Sequence, residues 1–292
     1  MDNRKASALI QIVLIYLIIA LSGCLTYAYL DIENDILRFL AADVNMTIVC
    51  FIFSILKKNS STYDAYWSVI PFYFVMLLSY LHFNHLTNNH ILIFLVVSIW
   101  SWRLTLNWIR SWKDFRHEDW RYVMLQKKHG KAYQLVNFSG IHLFPTLLVF
   151  AGMWPLFFIF DQNLQVHWIF YTGLFISLLG TLFEYLADNQ LSSFRKSPNR
   201  KTEDLLDTGI WSYSRNPNYL GEILFWSGIY LIGYSFGAPY YTGIGFLSML
   251  FLFVFISIPM KEERMLTRRP KFKDYQEKVS MLLLWPRKKN NS

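Results

Sequence analysis

Residues 205–230 read LLDTGIWSYSRNPNYLGEILFWSGIY, and they join the most polar stretch of the chain to an apolar run. The pair Asn216 and Pro217 predicts the start of a helix, because asparagine caps helices and the φ of proline already suits a first turn. Asn218 and Glu222 are four residues apart, so they share one face of the first turns, beside free backbone amides. Such a helix end attracts anions, phosphate included.

The composition is that of a membrane protein, with 54% hydrophobic, 18% aromatic and only 16% charged residues. Eight apolar runs are candidates to cross a bilayer, with seven spans as the alternative; the second and third runs are short and could tilt, thin the bilayer locally or re-enter. The runs cover residues 8–29, 41–56, 69–83, 91–109, 141–160, 166–187, 219–236 and 242–260. The predicted fold class is an all-α, polytopic membrane helix bundle that forms a single domain over residues 1–292.

Basic residues sort by side of the membrane, as cytoplasmic loops concentrate Lys and Arg. With a cytoplasmic N-terminus, nearly all of them fall in cytoplasmic segments; Arg38 falls in an outer loop and Arg103 within a span. This pattern predicts that both termini and the active site face the cytoplasm, in a bacterial inner membrane or the endoplasmic reticulum. The net charge of +8 suits anionic lipid headgroups and requires no nucleic acid. The first run is interpreted as a membrane anchor rather than a removed signal peptide.

Cysteine and histidine usage gives no sign of a cross-linked or metal-binding protein. Cys24 and Cys50 lie inside apolar runs, which excludes a disulfide framework, and two cysteines without clustered histidines make no zinc site. The histidines at positions 82, 85 and 90 are assigned to a solvated outer loop.

The loop before the third run, residues 59–71, reads NSSTYDAYWSVIP. Its aromatic rings are typical of interfacial anchors at headgroup level. The alternative is that Asp64 and Tyr66 face a cavity as a proton-handling pair, and both interpretations stay open. If the protein is an enzyme, Asp64 or Tyr66 is the expected catalytic proton donor.

Charged residues also recur at helical spacing near the end of the sixth run. Glu184, Asp188 and Arg195 lie on one stripe of a helix, which is either a structural ion pair or a cavity wall. A cavity wall is favoured because Glu184 lies deep enough in the run to be costly without a purpose. Arg195 would suit a phosphate, since a guanidinium bonds phosphate oxygens in pairs. Arg103, well inside the fourth run, is a further site candidate.

Two segments outside the runs are predicted to be surface helices. In the first, Asp119, Arg121 and Tyr122 begin an amphipathic helix, where they either cap it and pair with headgroups or contact a cofactor. In the second, residues 261–286 are a basic helix, and a fold-back under the bundle would explain the late Tyr275.

Together these segments resemble the membrane steroid 5α-reductase superfamily, in the branch with a steroid 5α-reductase-like C-terminal domain, over residues 59–286. The resemblance rests on NSSTYDAYWSVIP, WSWRL, EDWRY, EYLADNQLSSFR, GIWSYSRNPNYLGEI and SIPMKEERML. It implies a reductase with a cytoplasm-facing NADPH pocket and a lipid-facing cavity. A hydride would pass from NADPH to an activated carbon–carbon double bond of a steroid, sterol or other lipid, and a protein acid would supply the proton.

The resemblance also implies which residues bind NADPH. Asp188 and Arg195 match an Asp and an Arg that contact NADPH in steroid reductases, while Glu184 stands where those enzymes have Asn. The family's Asn-Tyr-x-Gly-Glu cofactor segment falls on residues 218–222. With their polar neighbours, the expected cofactor-binding residues are Glu184, Asp188, Arg195, Tyr213, Arg215, Asn218, Tyr219 and Glu222.

The sequence departs from the family pattern at two places. Asn216 replaces the His of the branch's Arg-His-Pro-Asn-Tyr segment, so a family role for that histidine does not transfer. The Gln-Glu-Leu-Pro and tyrosine groups that donate the proton in steroid reductases have no counterpart, and Trp100 stands where the tyrosine would be. The resemblance therefore assigns neither substrate nor proton donor.

Two other functions compete with the reductase. Isoprenylcysteine carboxyl methyltransferases, which use S-adenosylmethionine, have a similar Arg-His-Pro-x-Tyr-x-Gly segment and a later Glu-Glu, echoed here by Glu262 and Glu263. The stripe from Asp188 to Arg195 favours the reductase. The third hypothesis is a lipid-binding membrane protein without catalytic activity, and detectable cofactor binding without turnover would favour it.

Overall fold

The computed structural model describes residues 3–160 and 167–288, and no residue in these two ranges belongs to a β-strand. The backbone groups into two compact units, Met1–Asp161 and Gln162–Ser292. The α-helices are α1 (Asn3–Tyr29), α2 (Asp35–Lys57), α3 (Tyr66–Leu81), α4 (Asn88–Ser111), α5 (Trp120–His129), α6 (Tyr133–Val136), α7 (Phe144–Met153), α8 (Trp168–Lys196), α9 (Pro217–Ser235), α10 (Ile244–Phe251), α11 (Ile258–Arg268) and α12 (Phe272–Lys278).

Seven helical segments of the described chain are long and apolar enough to cross a membrane. They are Asn3–Tyr29, Asp35–Lys57, Ser60–Leu81, Asn88–Ser111, Trp120–Phe158, Trp168–Lys196 and Tyr240–Arg268. The predicted all-α, polytopic membrane fold is therefore confirmed. The apolar run at residues 219–236 forms α9, which is not among the seven, so the number agrees with the lower of the two predicted counts.

The two runs that were predicted to be short are full-length helical segments. The second is α2, with 23 residues, and it begins earlier because Asn34 caps it by accepting a hydrogen bond from the amide of Leu37 at 3.0 Å. The third extends over Ser60–Leu81, 22 residues. The sixth run was predicted to start at residue 166, which lies outside the described residues, and its helix is described from Trp168.

Two spans contain a π-helical section that hydrophobicity alone could not predict. The section Asn137–Leu143 precedes α7, and Leu252–Ser257 joins α10 to α11. A π-helix is rare, and a span that is apolar on most sides shows no break in hydrophobicity where such a section begins, so the apolar run gives no signal for it.

His90 corrects the assignment of a solvated histidine loop. Its side chain is buried, one ring nitrogen lies 2.9 Å from the amide of Thr87, and the other lies 2.9 Å from the carbonyl oxygen of Ile159. The imidazole therefore caps the start of α4 and ties it to the end of the Trp154–Phe158 helix within the first unit.

In the second unit, α8 and α9 run antiparallel and approach closely through small residues. A Cβ on Gly180 would lie 2.7 Å from the backbone nitrogen of Phe225, and a Cβ on Gly173 would lie 2.8 Å from the carbonyl oxygen of Gly228. Ser177 donates a hydrogen bond across the pair to the carbonyl of Phe225 at 3.1 Å. Small residues that let two backbones meet are typical of helix packing in membranes, and this close pair forms the base of the candidate site.

Candidate functional site

The charged stripe lies on the last turns of α8. Glu184 is 1% exposed, Asp188 is half-buried and Arg195 is exposed, so the stripe runs from the packed interior of the unit to its surface. Gly221 of α9 packs directly on Glu184, because any Cβ at Gly221 would overlap the Glu184 Cγ atom. The stripe and the start of α9 therefore form adjoining surfaces.

A short segment before α9, residues 211–216, is called the cap and docks onto the end of α8. Trp211 donates from its indole nitrogen to the carbonyl of Ala187 at 3.2 Å, and the backbone amide of Ile210 donates to Gln190 Oε1 at 3.0 Å. Gly209 adopts φ 61°, in the left-handed region, and a Cβ there would strike the Gln190 side chain. These contacts hold the cap against the C-terminal turns of α8, which carry the stripe.

Arg215 of the cap is 9% exposed and fully engaged within the unit. Its Nε donates to Glu262 Oε1 at 2.7 Å, its Nη2 donates to Glu262 Oε2 at 3.3 Å, and its Nη1 donates to the carbonyls of Gln276 and Val279. Gln276 also donates to Glu262, at 2.6 Å. A phosphate contact for Arg215 stays a prediction, and it would require the guanidinium to share or exchange these partners.

The chain after α11 folds back on the cap, as the late position of Tyr275 suggested. The Tyr275 hydroxyl donates to the carbonyl of Trp211, and the amide of Trp285 donates to the carbonyl of Tyr213 at 3.1 Å. Ser214 donates to the carbonyl of Leu282 at 2.7 Å and forms a parallel bridge with Ser280. Residues 275–285 are called the clamp, because they hold the cap from the side opposite α8.

Asn216 precedes α9 as predicted, but its side chain does not cap the helix. Its amide nitrogen donates to the carbonyl of Met281 at 2.9 Å, and its Oδ1 accepts from Lys261 Nζ at 2.7 Å. The clamp and α11 therefore use the polar groups that the sequence assigned to the helix end. Pro217 occupies the first helical position, as its fixed φ favours.

The first turns of α9 carry the remaining cofactor candidates. Glu222 is buried, and the Tyr219 ring stacks on Phe253 with centroids 4.8 Å apart. The Oδ1 atom of Asn218 is buried and accepts no hydrogen bond from the described residues. Tyr213, in the cap, is 50% exposed. All eight cofactor candidates therefore lie on one region of the second unit: the end of α8, the cap and the start of α9.

Four cations surround this region at close range and form what is called the cation cluster: Arg195, Arg200, Lys261 and Arg269. They lie close enough to repel one another electrostatically. Burial, and then Arg200, Arg195 and Arg268, lower the pKa of Arg269. Asp188, Glu262 and Asp204 act on Arg195, Lys261 and Arg269 in the opposite sense and offset part of this repulsion. The remaining excess of positive charge favours an anion that bridges the cations.

Sequence reasoning found Arg195 but missed the other three members of the cluster. Arg200 and Arg269 lie in basic stretches that were assigned to lipid headgroups, and Lys261 was counted with a basic surface helix. Lys261 instead lies over the Trp211 ring, 5.0 Å from its centroid, and donates to the Arg215 carbonyl at 3.2 Å. The available signal was proline: Pro198 and Pro270 fall where α8 and α11 end, so Arg200 and Arg269 lie just beyond helix ends and not on a continuous surface helix.

The two catalytic candidates lie in the first unit and belong to different hydrogen-bond networks. The Tyr66 hydroxyl donates to Asp43 Oδ1 at 2.8 Å in the buried interior of the unit. Asp64 is half-buried and accepts from the Tyr122 hydroxyl at 2.6 Å. Asp64 and Tyr66 are thus not a hydrogen-bonded pair with each other, although they are two residues apart.

The start of α5 has the structure expected of a helix cap. Asp119 accepts from the backbone amide of Arg121 at 2.9 Å and from its Nε at 2.8 Å. Ser61 accepts from the amide of Asp119 at 3.0 Å, so this cap also joins the loop before α3 to the start of α5. Arg103 lies half-buried on α4.

Comparison with known proteins supports one assignment. The chain is 27% identical to "Uncharacterized protein C594.04c" of Schizosaccharomyces pombe over 251 residues, covering 77% of this chain and 73% of that protein. No solved structure matches this chain. A family model described as "Protein of unknown function (DUF1295)" matches residues 50–279, which include α8, the cap, α9 and the cation cluster. Since that match spans most of the chain and the whole candidate site, the chain belongs to the DUF1295 family.

Proposed function

We propose that this protein is a membrane-bound, NADPH-dependent reductase that reduces a carbon–carbon double bond in a steroid, sterol or other lipid. The observation that carries the proposal is the cation cluster, which places four mutually repelling cations beside the stripe and the start of α9. NADPH presents a pyrophosphate and a further 2′-phosphate, so its charge complements this cluster. The likeness to the steroid 5α-reductase superfamily points to the same cofactor.

The donor set fits the cofactor at both of its chemically distinct ends. Arg195 is exposed beside the half-buried Arg200 and Arg269, where a phosphate can meet guanidinium groups in pairs. The buried Oδ1 of Asn218 needs a hydrogen-bond donor, and a carboxamide or ribose hydroxyl provides one. On α9, Tyr219 is next to Asn218 in the sequence, and Glu222 lies one turn further along. Bound NADPH would supply a hydride, while these residues bind and orient the cofactor.

S-adenosylmethionine fits the same surface less well. It carries a sulfonium and an ammonium cation, a single carboxylate and no phosphate, so its net charge is positive and it brings far less negative charge to the four cations than NADPH does. Glu262 is the first residue of the Glu-Glu pair that resembles the methyltransferase motif, and it already accepts hydrogen bonds from Arg215 and Gln276. The charge of the site therefore favours the reductase over the methyltransferase.

The reaction can be tested without knowing the lipid. We expect the full-length protein in membranes to transfer deuterium from NADPH, labelled at the transferable position of the nicotinamide ring, to a carbon of a co-extracted lipid. Mass spectrometry of total lipids would detect a product heavier by one deuterium and one proton. Arg195→Ala, which weakens cofactor binding, should reduce the label, and Lys196→Ala, an exposed neighbour on α8, should not. Methyl transfer from labelled S-adenosylmethionine to a lipid, with no deuterium transfer, would contradict the proposal.

A further inference from the structure

The first unit contains a continuous chain of buried hydroxyl groups that ends on a carboxyl group. Tyr63 and Thr146 hydroxyls lie 2.8 Å apart, and Thr146 and Thr47 hydroxyls also lie 2.8 Å apart. Thr47 donates to the Tyr66 hydroxyl at 3.1 Å, and Tyr66 donates to Asp43 Oδ1 at 2.8 Å. Tyr63, Thr146, Thr47, Tyr66 and Asp43 are called the hydroxyl chain, and each of them is buried.

The donors of this chain can all point the same way. A hydroxyl donates one hydrogen bond and accepts others, so Tyr63 can donate to Thr146, Thr146 to Thr47, Thr47 to Tyr66, and Tyr66 to the carboxyl group. The Thr146 hydroxyl also lies 2.9 Å from the carbonyl of His142, to which it can donate instead, so this order is complete when Thr146 turns its one proton from that carbonyl to Thr47. An ordered row of this kind can pass protons from hydroxyl to hydroxyl.

Asp43 is an unusual residue to find at the end of such a row. It lies in the middle of α2, in a membrane-spanning segment, and is 1% exposed. Tyr66 and Tyr63 are the titratable groups that act on it, and no cation of the described chain forms an ion pair with it. A carboxylate buried in a membrane without a cation is expensive, so such residues mark function, with proton relays among the best known uses.

The other end of the chain lies at the connection between α2 and α3. Tyr63 closes the short helix Ser60–Tyr63, and the next residue, Asp64, is half-buried. The hydroxyl chain therefore begins at a buried tyrosine whose backbone belongs to this connection and whose hydroxyl meets Thr146 of α7, and it ends at a carboxyl group inside the same unit.

We propose that Asp43 is a buried proton store that is reloaded from the loop through Tyr63, Thr146, Thr47 and Tyr66. In one transfer, Tyr66 gives its proton to the Asp43 carboxylate and receives one from Thr47. Thr47 receives one from Thr146, Thr146 from Tyr63, and Tyr63 from water that reaches its hydroxyl when the Ser60–Tyr63 segment opens. The net change is one proton moved from the medium to the carboxylate, and no group is oxidised or reduced.

The relay is a property of the first unit by itself, and it does not rest on the proposed function. The relay itself does not depend on NADPH, so it is measured without cofactor or lipid substrate. Failure of the relay test therefore leaves cofactor binding undecided, and failure of cofactor binding leaves the relay undecided.

The experiment follows the carboxyl group by infrared spectroscopy on the full-length protein during exchange from H2O to D2O. We expect the wild type to show the carbonyl stretch of a protonated acid that Asp43→Asn removes. Thr146→Val cuts the hydroxyl chain and should slow deuterium exchange of that band by about tenfold (~1.4 kcal/mol of barrier). Thr146→Ser keeps the hydroxyl and should exchange at the wild-type rate.

The direction of the effect separates a relay from a structural role. If Thr146 only stabilised the fold, its replacement by Val would loosen the unit and make exchange faster. Thr181→Val in α8 removes a similar hydroxyl bond, to the Ser177 carbonyl at 2.9 Å, and should leave the Asp43 band unchanged. Tyr63→Phe is a second cut and should also slow exchange, should Thr146→Val fail to fold. Unchanged or faster exchange in the cut variants, or no acid band that depends on Asp43, would overturn the proposal.

Discussion

Arg215→Met is expected to lower the free energy of unfolding by about 3–5 kcal/mol, because it leaves a buried glutamate without its cation. Arg215 and Glu262 are each only 9% exposed along their side chains, and their shortest separation is 2.7 Å. The guanidinium also bonds two carbonyls of α12 and the clamp, which would lose their donors. The measurement is reversible unfolding of the purified protein in mixed micelles.

An exposed ion pair of the same segment provides the matched control. Arg287 and Asp207 lie 3.3 Å apart, and more than a third of each side chain is exposed, so Arg287→Met should cost about 0–1 kcal/mol. The double variant Arg215→Met/Glu262→Met should recover much of the lost stability, since no buried charge remains. Equal costs for Arg215→Met and Arg287→Met would show that the clamp does not depend on the buried pair.

Arg195→Ala is expected to weaken NADPH binding by about tenfold to a hundredfold. Charge-assisted hydrogen bonds contribute roughly 1.5–3 kcal/mol each, and Arg195 is the exposed member of the cation cluster on α8. Its loss also lowers the positive potential that the other three cations share. Calorimetric titration with NADPH gives the dissociation constant directly.

Lys196→Ala is the control for this variant, because Lys196 is the exposed residue next to Arg195 and has no part in the cluster. It should bind NADPH with nearly the wild-type affinity. If both variants lose affinity equally, the effect comes from overall charge, and Arg195 would not be a specific contact.

The sequence was sufficient for features that depend on local pattern. Apolar runs predicted the spanning helices, and helical spacing placed Glu184, Asp188 and Arg195 on one helix. The Asn216–Pro217 pair predicted where α9 begins. Each of these follows from residues within a few turns of one another, where the period of the helix decides which side chains share a face.

Features that depend on distant residues could not be predicted in this way. Arg215 and Glu262 are 47 residues apart, and the Tyr63 and Thr146 hydroxyls that meet in the hydroxyl chain are 83 apart. Basic residues near a membrane all look like partners of headgroups, so nothing local separates the cation cluster from the others. Asn216 is a further example. Its side chain was predicted to cap α9 but bonds to the clamp and to α11 instead, and the local sequence does not give the position of either.

We expect the site to select NADPH, and calorimetry or thermal shift on the wild-type protein with three ligands measures this selectivity. NADPH should bind more tightly than NADH, which lacks the 2′-phosphate, and more tightly than S-adenosylmethionine, which has no phosphate for the cation cluster. Tight binding of S-adenosylmethionine with no response to NADPH would contradict the reductase proposal and favour a methyltransferase.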